Sequence, residues 1–102
     1  MELKDYFEIS TLLGYYRNLL SKKQKEYMIE HFENDYSLSE IAEDNGVSRQ
    51  AIFENIKRGI KILRDYEEKL GIYNRDKKLK EKLNSLSENL TQENLEKIIK
   101  EL

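Results

Sequence analysis

A chain of 102 residues in which 38% are hydrophobic has room for one modest core, and its 18 cations against 20 anions suit the surfaces of amphipathic helices better than disorder. The absence of cysteine excludes disulfides and thiolate metal centres, and the absence of proline with only four glycines argues against a hairpin-rich β fold. No apolar run approaches the roughly 20 residues that span a bilayer and no signal peptide is evident, so a soluble, cytoplasmic, all-α protein with no membrane partner is expected.

Residues 2–19 are expected to form the first helix. Phe7, Ile9, Leu12, Leu13, Tyr16, Leu19 and Leu20 give it an apolar face wider than one neighbour requires, with Tyr6 and Tyr15 adding amphipathic bulk. That face reads as core, with contact to a second subunit as the other use of part of it. Ser21 followed three residues on by Gln24 predicts a capping box that opens a second helix from Lys22 to Glu33. Its apolar positions are Tyr27, Met28, Ile29, Phe32 and Tyr36, and Asn34-Asp35 turn the chain afterwards. His31, the only histidine, has Glu30 and Glu33 near it, but one histidine and two surface carboxylates do not make a ligand spacing. It reads as a rim or capping residue.

The segment Ser37 to Arg64 organises the rest. Ser37 and Glu40 make a second capping box, Leu38, Ile41 and Ala42 share one face of a short helix, and Asn45-Gly46 supplies a left-handed stop. Val47 is expected to plug the gap between two helices. Ser48 caps the second of them, whose buried seam is Ile52, Ile56, Leu63 and Tyr66. Helix, glycine turn and capped helix in that order spell a helix-turn-helix. Residues 48–64 hold five cations (Arg49, Lys57, Arg58, Lys61 and Arg64) against one anion, Glu54, although the whole chain is at −2. Positive charge is therefore gathered on one helix. Arg49 and Gln50 near its start suit guanine and adenine edges, with Phe53 for a thymine methyl and Glu54 beside them. Lys57, Arg58 and Lys61 suit phosphates. The expected partner is double-stranded DNA, bound by a homodimer.

The recognition helix is expected to run on to Leu70, acidic in its tail, and to stop at Gly71. The break at 71–74 sets the expected division into a helix-turn-helix domain, 1–73, and a C-terminal helical segment, 74–102. In that segment Arg75 to Leu90 carries leucines at 79, 83, 86 and 90, the four-three-four step of a short coiled-coil seam. Thr91 caps a last helix with Leu95, Ile98, Ile99 and Leu102 on one side. Seams so short either fold back or pair with a second chain. With one histidine, no cysteine and no glycine-rich phosphate loop, neither a catalytic triad nor a nucleotide cradle is available, and a non-enzyme without cofactor is expected.

The stretch from Tyr16 to Arg64 resembles region 4 of bacterial sigma factors: Leu20-Ser21-Lys22-Lys23-Gln24, then Glu40-Ile41-Ala42, then Val47-Ser48, then Arg58 through Leu63-Arg64. The chain from its tyrosine-rich start to Gly71-Ile72-Tyr73 resembles the YlxM family of small bacterial helix-turn-helix proteins. That resemblance implies a DNA-binding or regulatory role. It also implies a place in the signal recognition particle pathway, as an accessory protein that binds protein or RNA. The region 4 likeness covers only the DNA-docking part of a sigma factor, so initiation of transcription by this chain alone is not expected.

Overall fold

The computed structural model describes residues 3–102, and every element among them is helical: α1 Leu3–Tyr16, a 3-10 turn Arg17–Leu19, α2 Lys22–Phe32, α3 Leu38–Asn45, α4 Arg49–Leu70, α5 Ile72–Glu88 and α6 Gln92–Glu101. They form an all-α helical fold in two units, one ending at Leu70 and the other running from Gly71 to Leu102.

In the first unit α1, α2 and α3 all pack on α4. Ile9, Leu12, Leu13 and Tyr16 of α1, Tyr27, Met28 and Phe32 of α2, Ile41 and Ala42 of α3, and Ile52, Ile56 and Leu63 of α4 are buried together with Leu20. Each of these helices buries one stripe at helical spacing, which is how a layer of amphipathic helices excludes water. Tyr66 is only half-buried, with its ring stacked on Tyr16 at 5.9 Å between centroids, and the Tyr16 hydroxyl donates to Glu67 at 2.6 Å.

Several expectations for this unit are corrected. The first helix ends at Tyr16, not 19, because the chain tightens to a 3-10 turn and Leu20 then turns extended (φ −88°, ψ 156°) so that Ser21 can cap α2. Glu2, assigned to that helix from the sequence, lies outside the described residues. Phe7 and Leu19 are not core: they stay 65% and 51% exposed. Phe7 sits about 160° around the helix from buried Ile9, on the side away from α2 and α4. Tyr36 is exposed as well, although its carbonyl accepts from His31 Nδ1 at 2.8 Å. The capping box at Ser21 is half made. Ser21 Oγ accepts from the Gln24 amide at 3.4 Å, but the Gln24 side chain donates to the Asn55 carbonyl of α4 at 3.2 Å instead of reaching back. A buried amide takes the partner that cannot reach water.

Tyr6 ties α1 to the end of α2. Its hydroxyl lies 3.1 Å from the His31 carbonyl and 3.0 Å from that of Phe32, and 3.3 Å from Asp35 Oδ1. These are carbonyls a helix end leaves without internal donors. Tyr6→Phe is therefore expected to cost about 1 kcal/mol, read from the midpoint of urea denaturation. An unchanged midpoint would mean that water serves those carbonyls equally well. Burial first, and the Asp35 carboxylate second, raise the Tyr6 hydroxyl above its ordinary 10.0. The folded-state value being the higher one, this contribution is complete below pH 10 and fades as the pH rises beyond it.

In the second unit Gly71 takes the left-handed conformation (φ 61°, ψ 25°) and α5 begins at once with Ile72, three residues before the expected Arg75. One glycine completes the break, so residues 72–74 are free to be helical. Thr91 Oγ1 accepts from the Asn94 amide at 3.1 Å and caps α6. Of the leucines and isoleucines read as seams, Leu86 and Ile98 are buried; Leu83, Leu90, Leu95, Ile99 and Leu102 remain exposed.

Candidate nucleic-acid interface

The turn between α3 and α4 is fixed by its own backbone. Ser37 Oγ accepts from the Glu40 amide and Glu40 Oε1 from the Ser37 amide, each at 3.1 Å, so the capping box that starts α3 is complete. At the other end Gly46 is left-handed (φ 64°, ψ 32°), its amide reaches the Glu43 carbonyl at 3.3 Å, and the Val47 amide reaches that of Ala42 at 3.1 Å. This paired closure is the Schellman arrangement, and it needs a residue without a Cβ penalty at position 46. Ser48 Oγ then accepts from the Ala51 amide at 3.0 Å and starts α4. Ile41 and Ile52 are fully buried across the junction. Val47 does not plug it. The residue is 41% exposed, because its amide is committed to closing α3 and the gap is already filled by Ile41, Ala42 and Ile52.

With 22 residues α4 is about 33 Å long. One side buries Ile52, Ile56, Gly59 and Leu63. Away from that stripe Gln50, Lys57, Arg58 and Lys61 are exposed, with Glu54 half-buried among them; Arg49, at the first residue of the helix, and Phe53, 42% exposed, lie nearer its border. The structure therefore brings all seven residues singled out in the sequence onto the uncovered part of one helix. They are not equivalent. Gln50 Nε2 donates to Glu54 Oε1 at 3.0 Å, and Lys61 Nζ pairs with Asp65 at 3.0 Å. Arg64, counted with the cations in the sequence, is drawn back to Glu8 of α1 at 3.4 Å. Among the described residues Arg49, Lys57 and Arg58 have no side-chain partner. Exposed pairs such as Lys61–Asp65 are worth less than about 1 kcal/mol, so Lys61 can leave Asp65 for a phosphate at little cost.

Two residues overlooked in the sequence hold this face in place. Gly59 lies where a Cβ would be 2.9 Å from Met28 Sδ and 3.3 Å from Gln24 Cγ, so its lack of a side chain sets how closely α2 approaches α4. Gln24 bridges the same crossing through the Asn55 carbonyl. Gly59 carried a readable signal: a glycine inside a run of helix formers costs about 1 kcal/mol and marks a close approach. Gln24 carried none, since a polar residue three after a serine looks like a cap. Among the described residues no group of three or more metal-ligating side chains converges, and no helix is long and apolar enough to cross a membrane.

The chain belongs to the UPF0122 family, described as "Putative helix-turn-helix protein, YlxM / p13 like", which matches residues 3–102. It is 57% identical over 102 residues to UPF0122 protein FN1394 of Fusobacterium nucleatum, covering 100% of this chain and 99% of that protein. It is 49% identical over 73 residues to UPF0122 proteins of Limosilactobacillus reuteri and Streptococcus gordonii, covering 72% of this chain and 65% and 66% of theirs. The chain thus matches just under two thirds of the length of those two relatives.

Proposed function

We propose that this chain is a DNA-binding regulator that lays α4 in the major groove. The observation that carries the reading is the set of unpartnered cations, Arg49, Lys57 and Arg58, on the open side of a helix whose entry is locked by the Gly46 turn and the Ser48 cap. Arg49, Gln50, Phe53 and Glu54 meet base edges in the first turns. Lys57, Arg58 and Lys61 meet phosphates further along. Two copies offer two such helices to half-sites about 34–36 Å apart. Because the whole chain is at −2, binding depends on this one face and is strongly salt-sensitive.

The test is readout by Gln50. The Gln50–Glu54 hydrogen bond is an exposed helix pair worth about 0.2–0.5 kcal/mol, little enough for a base to displace. Gln50→Ala is expected to lose roughly 1–3 kcal/mol of discrimination at one base position, measured as affinities for a selected site and its single-base variants. A variant that ranks all sites as the parent does refutes direct readout at this residue.

A second reading, an accessory protein of the signal recognition particle pathway that binds protein or RNA, draws on the acidic balance of the chain. Protein purified at low salt that carries no nucleic acid but retains the particle's GTPase in a pull-down favours this reading over the first.

A further inference from the structure

One anion stands among the cations of α4. Glu54 is half-buried there, and Lys57, Arg58 and Lys61 lie within about 60° of it around the helix. A carboxylate in that place weakens the attraction of the face for a polyanion. The cations beside it do not cancel it by pairing: Lys61 goes to Asp65, and Lys57 and Arg58 have no side-chain partner among the described residues. The bond Glu54 does make is to Gln50, one turn earlier, whose Nε2 donates to Glu54 Oε1 at 3.0 Å.

That bond decides which way the Gln50 amide is turned. A glutamine amide accepts at its oxygen and donates two hydrogens from its nitrogen. Turned one way it offers the oxygen and one N–H together, which match the N6 amine and N7 of adenine. Turned so that both N–H groups face the base, it suits N7 and O6 of guanine, which are both acceptors. Gln50 is exposed, and nothing but Glu54 holds its amide. Reversing the amide would bring Gln50 Oε1 against a carboxylate oxygen, two acceptors with no hydrogen between them. The bond to Glu54 consumes one amide hydrogen. What remains on Gln50 is one acceptor and one donor, the adenine pattern. A guanine edge would meet Gln50 Oε1 with its O6, and the mismatch is repulsive. Weak as the bond is, adenine has no reason to displace it, because the amide nitrogen serves both partners at once. Glu54 Oε2 takes no part in this and is left for a base of its own.

We propose that Glu54 is a positioning residue that fixes the Gln50 amide, so that the pair specifies adenine against guanine at one base pair of the bound site. The inference rests on the reading of α4 as the DNA-binding helix. It adds which base the first turn selects and what makes it selective.

The experiment is a set of affinities of the full chain for a DNA duplex selected from a random pool. The bases are varied at the pair where Gln50→Ala levels the preference. The parent is expected to favour adenine over guanine there. Glu54→Ala should cut that ratio at least roughly 5-fold, the lower end of what a bidentate pair discriminates. Glu54→Gln keeps an acceptor of the same reach without the charge, and should retain more of the ratio than Glu54→Ala. Once Gln50→Ala is present, adding Glu54→Ala should leave the ratio where it was. A ratio untouched by Glu54→Ala, with the affinities for all duplexes shifted together, overturns the positioning role and leaves base readout by Gln50 standing. A parent that favours guanine at that pair overturns it too. A parent that binds no duplex, or a Gln50→Ala that levels no preference, overturns base readout by Gln50 and this inference with it.

Discussion

Replacing Lys57, Arg58 and Lys61 together with alanine is expected to flatten the dependence of log affinity on log salt by between two and three units, and to do so for every DNA sequence alike. Each phosphate contact releases counterions worth a slope of about −0.9, so three lost contacts set the size of the change. None of the three side chains enters the core, and Lys61–Asp65 is a solvent-exposed pair, so α4 should remain folded. The variant is also more acidic overall, and a change in net charge alone weakens attraction to DNA. Lys4, Lys69 and Lys78, all exposed, provide the control: replacing these three with alanine alters net charge equally and should leave the slope within one unit of the parent. Affinities measured between roughly 50 and 200 mM salt decide it. Equal slopes for the two triple variants would mean that no particular face of α4 meets the phosphates.

The part of the site that the sequence made legible is the part fixed by neighbours along the chain. Ser37 with Glu40, Gly46 with Val47, and Ser48 each complete their hydrogen bonds within five residues, so residue type and spacing were enough. The outward face of α4 was legible for a related reason, since the period of a helix fixes which residues share a side. What the sequence could not give was decided by other helices. Val47 is as apolar as Ile41 and only the crossing of α3 on α4 leaves it outside. Phe7 lies on the far side of α1 from the stripe that packs on α2 and α4, and Leu19 falls in the 3-10 turn after that helix. Arg64 has the right angle to join the cations, but Glu8, 56 residues earlier, takes it. Gln24 looked like half of a cap and serves a crossing 31 residues away.

Gly59 is where that long-range packing can be tested most sharply. Gly59→Leu should lower the stability of the fold by at least about 2 kcal/mol. A leucine adds four carbons at a point where the first alone would sit 2.9 Å from Met28 Sδ and 3.2 Å from Met28 Cγ, and Met28 is fully buried with nowhere to withdraw. Overpacking of this kind costs about 1–3 kcal/mol or more, and here α2 must also part from α4, straining the Gln24–Asn55 hydrogen bond. The better helix propensity of leucine returns less than about 1 kcal/mol. Gly59→Ala meets the same two terms at nearly equal size and should move the denaturation midpoint little. Combining Gly59→Leu with Met28→Ala vacates the space that the leucine needs. The double variant should therefore be more stable than the sum of the single losses predicts, by about 0.5–3 kcal/mol, the range for residues in direct contact. Strict additivity would show that position 59 and Met28 do not meet, and the close seating of α4 on its support would then be wrong. Because the proposed DNA contact needs α4 seated on its support, the same double variant should recover whatever DNA affinity Gly59→Leu loses.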